Sequence, residues 1–173
     1  QMMPMVFGAS PAFAHEHGGP LTRAFLEALD LVGMSGIIVD TRSHMLFPGH
    51  FPAIGGWHCD LVARGEDGQP DLGRLRDGGA HWTYTSASVD GLCHVEFAAE
   101  PTDLEIERTA GSLWSDVHRA MAARTVATTK IPHGSVVEFY RDSLHRPTKA
   151  DRIGWRFFAR ASEATTEPQN KIR

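Results

Sequence analysis

Apolar residues recur along this chain at two spacings, and the change from one to the other marks its elements. Behind Pro20, the residues Leu21, Phe25, Leu26 and Leu29 share one helical stripe, which predicts a helix over 20–31 that Gly33 and Gly36 end. A second stripe of Leu113, Trp114, Val117, Ala120 and Met121 predicts a helix over 112–124. Elsewhere the pattern is strand-like. Strands are expected over 37–46, 57–63, 81–88, 94–99, 135–140 and 155–161. They are parted by loops at 48–56, 64–79 and 142–154 and by a turn at Asp90-Gly91. The stretch 102–106 stays unassigned: Thr102 and Glu105 have capping-box spacing, while Leu104 and Ile106 alternate as in a strand. Residues 1–18 read as an N-terminal arm and 163–173 as a polar tail that frays. Many short strands and two helices, without repeat or linker, predict a single domain over 1–173, mainly β with a few helices, of antiparallel sandwich or barrel type.

Composition narrows the function classes. With 42% hydrophobic and 22% charged residues the chain has an ordinary globular make-up, and it lacks the apolar run of roughly eighteen residues that reads as a membrane span. A formal charge of −4 argues against holding nucleic acid by its phosphates. The apolar stretch 2–14 has no basic segment before it and is interrupted by Pro4, Gly8 and Pro11, so it does not read as a signal peptide. Cys59 and Cys93 are too few for a disulfide framework and are expected to be reduced, which favours a cytoplasmic setting. The short chain leaves little room for a recognition domain, so the expected partner is a small-molecule substrate. The oligomeric state is not legible.

The chemistry begins at Trp57-His58-Cys59-Asp60. In a strand, residues i and i+2 point the same way, so His58 and Asp60 would present an imidazole and a carboxylate side by side, with Cys59 turned away. His145 follows 87 residues after His58. Two histidines and one carboxylate on one face of an ion form the facial triad of non-haem Fe(II) oxygenases, which leaves positions open for a co-substrate and dioxygen. Eleven residues past His145 stands Arg156, and four further on Arg160, on the same face of an otherwise aromatic and small-residue strand. A guanidinium there suits a carboxylate, which it can grip with two parallel hydrogen bonds.

The run from Pro132-His133-Gly134-Ser135-Val136-Val137-Glu138-Phe139 through His145 to Trp155-Arg156-Phe157-Phe158 resembles the closing half of the Fe(II)/2-oxoglutarate oxygenase superfamily. That resemblance implies a double-stranded β-helix, the cupin-like jelly roll. It implies His58, Asp60 and His145 as metal ligands and catalytic centre, and Arg156 as the partner of the far carboxylate of 2-oxoglutarate. Gly134 matches the glycine that opens the strand before the distal histidine, and Arg160 matches a second arginine that assists in some members. Tyr84, alternating with Ser86 on a strand expected to face the interior, is a further candidate for bonding 2-oxoglutarate. The implied activity uses Fe(II), 2-oxoglutarate and dioxygen to hydroxylate or otherwise oxidise an unactivated C–H bond. Halogenation is not implied, because that branch has a small residue where Asp60 stands.

Other uses of the same residues stay open at this stage. His145 lies in a turn-rich segment and could be a turn histidine; Arg156 could pair with Glu96, Glu138 or another acid, and Arg160 likewise. His44 and His50 could face substrate or solvent. Two rival classes remain: a cupin-type metalloprotein without 2-oxoglutarate, such as a dioxygenase or isomerase, and a non-enzymatic jelly-roll binding protein.

Overall fold

The computed structural model describes residues 4–77, 79–99, 106–109, 111–164 and 166–173. Its strands are β1 (Val6–Phe7), β2 (Ile37–Leu46), β3 (Ala80–Ala87), β4 (Val95–Ala98), β5 (Thr128–Ile131), β6 (Val136–Tyr140), β7 (His145–Pro147), β8 (Gly154–Glu163) and β9 (Lys171–Ile172). The helices are α1 (Pro11–His17), α2 (Pro20–Ala28) and α3 (Leu113–Ala122), with a 3-10 turn at Leu72–Asp77. The protein is mainly β, and among the described residues all strand pairs are antiparallel.

Alternation along two long strands organises the molecule. β2 and β8 pair over their whole length, from Ile37 opposite Glu163 to Leu46 opposite Gly154. With β3 and β6 they form a sheet of order β2-β8-β3-β6. One face of this sheet carries Ile37, Val39, Phe157, Ala159 and Ala161, packed against Phe25, Leu26 and Leu31 of the α1–α2 region. Ala159 and Ala161 are fully buried, and their small side chains let the helices approach the sheet closely. Each large side chain buried there contributes roughly 1.5–3 kcal/mol. The opposite face carries Asp40, Arg42 and His44 on β2, in register with Arg160, Phe158 and Arg156 on β8. It looks toward the second sheet, of order β5-β4-β7. Phe97 of β4 meets Phe139 of β6 edge to face across the gap, ring centres 5.1 Å apart. Helix α3 covers the far side of the second sheet, where Leu113, Val117 and Met121 pack on Trp57.

The expected strands at 37–46, 81–88, 94–99, 135–140 and 155–161 all form, within two residues of their predicted ends. The strand expected over 57–63 does not. Only a bridge between His58 and His145 remains there, because Gly56 before it and Leu61 after it both take positive φ, +95° and +48°. The N-terminal segment is more than an arm: Ser10 caps α1 by accepting from the Phe13 amide, Pro11 opens its first turn, and Ala9 bridges to Val39. Nor does the tail simply fray, since Lys171 and Ile172 pair with Phe7 and Val6. Thr102, Leu104 and Glu105 lie outside the described residues. Among the described residues no helix is long and apolar enough to cross a membrane.

His81 makes the fold sensitive to acid. Its ring is fully buried against Phe139 and hydrogen-bonds Ser162 Oγ at 2.8 Å. Burial first, then the Arg160 charge, lowers its pKa from the ordinary 6.5 to about 4. The unfolded chain therefore takes up a proton that the folded one refuses, and stability falls as pH drops from about 6.5 toward 4. His81→Asn should be less stable than wild type at pH 7, by a margin that shrinks on acidification by on the order of 3 kcal/mol. Denaturant unfolding at pH 7, 5.5 and 4 checks this; a margin independent of pH would rule His81 out as the sensor.

Candidate metal centre

His58 is placed by the turn ahead of it. At Gly56, a Cβ would lie only 3.1 Å from the His118 ring, and the positive φ suits glycine alone. That turn aims the Gly56 carbonyl at His58 Nδ1, 2.9 Å away. His145 repeats the arrangement on β7, with its Nδ1 2.9 Å from the carbonyl of Ser143. A carbonyl only accepts, so both Nδ1 atoms carry the proton and both Nε2 atoms present a lone pair. The two rings are 4.6 Å apart, tied together by the paired backbones of residues 58 and 145. Burial first, and then His145, pulls the pKa of His58 down, which keeps it neutral as a ligand must be.

Asp60 completes the group. Its Oδ2 lies 3.5 Å from His145 Nε2, and one ligand atom from each of His58, Asp60 and His145 falls within 4.8 Å of the others. A carboxylate oxygen facing an imidazole lone pair is electrostatically unfavourable unless a cation or proton joins them. Burial acts to raise the Asp60 pKa, but the Arg160 guanidinium, followed by His145 and His58, holds it well below the usual carboxylate range. Three buried or half-buried donors, two with backbone-fixed tautomers and one kept anionic, fit a divalent ion. Cys59 is buried and is not among the residues that line the cavity, its thiol pushed up to about 12 by burial.

The two arginines of β8 meet opposite fates. Arg160 donates to Asp60 Oδ2 at 2.6 Å and to Asp40 Oδ2 at 3.0 Å. Its charge is thus engaged by two aspartates of the protein itself. Arg156 is 3% exposed and has no acidic partner among the described residues. Glu96 is taken by Arg146 and Lys130, and Glu138 by the Tyr140 hydroxyl. Arg156 contacts the Cys93 thiol and stacks on Phe158, while its Nε is buried without a partner. Burial, and then neighbouring Arg42, lowers its pKa. Four buried imidazole nitrogens also lack a partner among the described residues, on His44, His81, His94 and His133. His44 sits opposite Arg156 on β2, and His133 bonds Thr85 Oγ1 at 3.1 Å.

One cavity of about 350 Å³ takes in the three ligands, Arg156 and Arg160, between walls of Phe97, Phe139 and Phe158. Tyr84 is not brought to it. Tyr84 pairs with Ala159 and so faces the helices, its ring 6.5 Å from Phe25 and 6.3 Å from Phe157. Thr83 and Thr85 have the inward positions on β3, and Thr83 lines the cavity. Asp40 and Arg42, absent from the candidates, line it too. Their signal was present as a charged alternation, Asp40, Arg42, His44, inside a strand otherwise apolar at its start.

Substitutions at the ligands should separate metal binding from folding. His145→Gln is expected to weaken Zn(II) by roughly a hundredfold or more, with a modest effect on the metal-free fold. Asp60→Ala should lose the metal as well, and also destabilise the metal-free protein by about 3 kcal/mol, because it strips a partner from buried Arg160. Calorimetric Zn(II) titration and denaturant unfolding in chelator measure the two effects. Undiminished Zn(II) affinity in either variant would remove that residue from the centre.

No family model matches the chain, and no curated protein matches it. Among solved structures it is similar to an L-ribose isomerase of Cellulomonas parahominis, determined with no ligand, at 12% identity and a TM-score of 0.41. That match covers 97% of this chain and 65% of the isomerase, so this chain spans a little less than two-thirds of that protein's length. A likeness of that degree says nothing of a shared reaction.

Proposed function

We propose that this protein is an Fe(II)- and 2-oxoglutarate-dependent oxygenase of jelly-roll type acting on a small molecule. The observation that carries the reading is Arg156: a buried guanidinium without an acidic partner, in the cavity that holds the His58–Asp60–His145 centre. An arginine is costly to bury unpaired, and here each nearby glutamate considered as its partner is engaged elsewhere. A ligand carboxylate is the group that would complete it.

The residues then divide the work. His58, Asp60 and His145 would hold the ion, and their arrangement leaves its remaining positions to small ligands. When bound, Fe(II) there supplies the oxidation of a C–H bond by dioxygen, coupled to conversion of 2-oxoglutarate to succinate and carbon dioxide. Arg160 keeps Asp60 ionised and oriented. Arg156 fixes the far carboxylate of the co-substrate, with the orphaned nitrogens of His44 and His133 beside it as further polar contacts. Phe97, Phe139 and Phe158 exclude water around the centre, which strengthens the polar contacts inside.

A second reading has one observation in its favour. His44 and His133 both have pKa values lowered chiefly by burial, so neutral imidazoles able to move protons stand near Arg156. A cupin-type metalloenzyme that binds its own substrate's carboxylate at Arg156, such as a dioxygenase or isomerase without co-substrate, would use them. Succinate release on incubation with Fe(II), 2-oxoglutarate and air separates the two readings.

Arg156→Ala should raise the 2-oxoglutarate dissociation constant by about two orders of magnitude. Charge-assisted hydrogen bonds contribute about 1.5–3 kcal/mol each, at about 1.4 kcal/mol per tenfold. Zn(II) affinity should not change, and Arg156→Lys should restore only part of the loss. Titrating 2-oxoglutarate into Zn(II)-loaded protein measures this. Equal affinity in a folded Arg156→Ala variant would take 2-oxoglutarate out of the account.

A further inference from the structure

A second arginine faces the same cavity and is also without an acidic partner among the described residues. Arg42 on β2 lies in register with Phe158, between Asp40 and His44 on the inward face, and it lines the cavity wall. Unlike Arg156 it is exposed, so it sits where the cavity meets solvent. β2 is an edge strand, and an edge strand often carries a cation merely to discourage pairing with other chains. Such a cation has no need to line a cavity that already contains one buried and one half-buried arginine.

The nearby acids are not available to it. Asp40 accepts from the Gly8 amide through Oδ1 and from Arg160 through Oδ2, so both its oxygens are engaged. Asp60 is held by Arg160 and belongs to the metal centre. The cavity wall thus carries three arginines against two aspartates. A divalent ion adds two positive charges and a bound 2-oxoglutarate removes two. One positive charge is left over, and Arg42 is the arginine that neither the aspartates nor the co-substrate has claimed.

We propose that Arg42 receives an oxyanion of the primary substrate, which is therefore a small acid, a carboxylate or phosphate ester, with an apolar body. The apolar body follows from Phe97, Phe139 and Phe158, which line the same cavity as Arg42 and the metal ligands. Its size follows from the volume: about 350 Å³ is near the lower end for ligand pockets and must also admit the co-substrate. Arg42 would orient this acid from the mouth, with its apolar end turned toward the metal centre. The assignment rests on the reading of Arg156 as the co-substrate's partner, which leaves Arg42 for the substrate.

Three probes of one shape test it: 3-phenylpropanoate, 2-phenylethyl phosphate and the uncharged 3-phenylpropanamide. Each is titrated calorimetrically into Zn(II)-loaded protein, with and without saturating 2-oxoglutarate. At least one of the acids should bind ten or more times tighter than the amide with the co-substrate present, and the better acid names the oxyanion. Arg42→Gln, an exposed substitution that leaves the fold intact, should abolish that preference and keep 2-oxoglutarate affinity within about threefold of wild type. Acids that bind no better than the amide, or bind equally well to Arg42→Gln, overturn the assignment. So does a set of probes among which none binds. Failure of 2-oxoglutarate itself to bind would be read separately: the acid-versus-amide comparison is still decided in protein carrying Zn(II) alone, where loss of the preference on Arg156→Ala, and not on Arg42→Gln, moves the substrate acid to Arg156 and overturns the assignment to Arg42.

Discussion

The bridge that Arg160 makes between Asp40 and Asp60 is the interaction on which the site depends. Asp60 belongs to no strand: Gly56 precedes it and a left-handed Leu61 follows it, at an energetic cost of about 1–2 kcal/mol. Its carboxylate is held where the centre needs it by a guanidinium from β8, itself steadied by Asp40 of β2. Asp40 in turn accepts from the Gly8 amide, so the N-terminal segment, the edge strand, the central strand and the ligand loop meet in one network. The same network keeps Asp60 ionised despite its burial. Removing one member of a buried ion pair is expensive because it leaves the other charge unanswered. Here that cost fixes a chain segment that regular hydrogen bonding does not.

Arg156 stands on the same strand face, two pleats away, and its situation is the reverse. Where Arg160 pairs with two protein carboxylates, Arg156 is buried with no acidic partner among the described residues and with a thiol as its polar neighbour. Two identical side chains on one strand are thereby given different work by the acids around them. In the function proposed above, a site that holds an ion and admits an anion uses both: one arginine that organises the protein's own carboxylate and one left for a carboxylate from outside.

Much of this was legible in the sequence. The period-two pattern located the long strands, and the spacing of His58, Asp60 and His145 pointed to a shared centre that the fold brings together. The strand expected to present His58 and Asp60 does not form, yet a single bridge to His145 and the turn at Gly56 achieve the same side-by-side placement. Alternation on one strand shows that Tyr84 and Ser86 share a face, but not which face; that is decided by the register against β8, which puts Thr83 opposite Arg160 and Tyr84 opposite Ala159. A shift of one residue would have reversed it. The pairing of Val6 with Ile172 was out of reach for another reason, since two-residue strands carry no period and the contact spans nearly the whole chain. Whether Arg156 or Arg160 would be left unpaired depended on where Asp40, Glu96 and Glu138 came to lie, and no spacing shows that.

The central claim is that three side chains hold one ion in the cavity that Arg156 lines. A crystal grown with Zn(II) and 2-oxoglutarate, with diffraction measured on both sides of the zinc absorption edge, tests it most directly. The account predicts a single anomalous peak about 2.0–2.2 Å from His58 Nε2, an Asp60 oxygen and His145 Nε2, with the far carboxylate of 2-oxoglutarate on Arg156. A peak held by other residues, or His58 and His145 bound to separate ions, would contradict it.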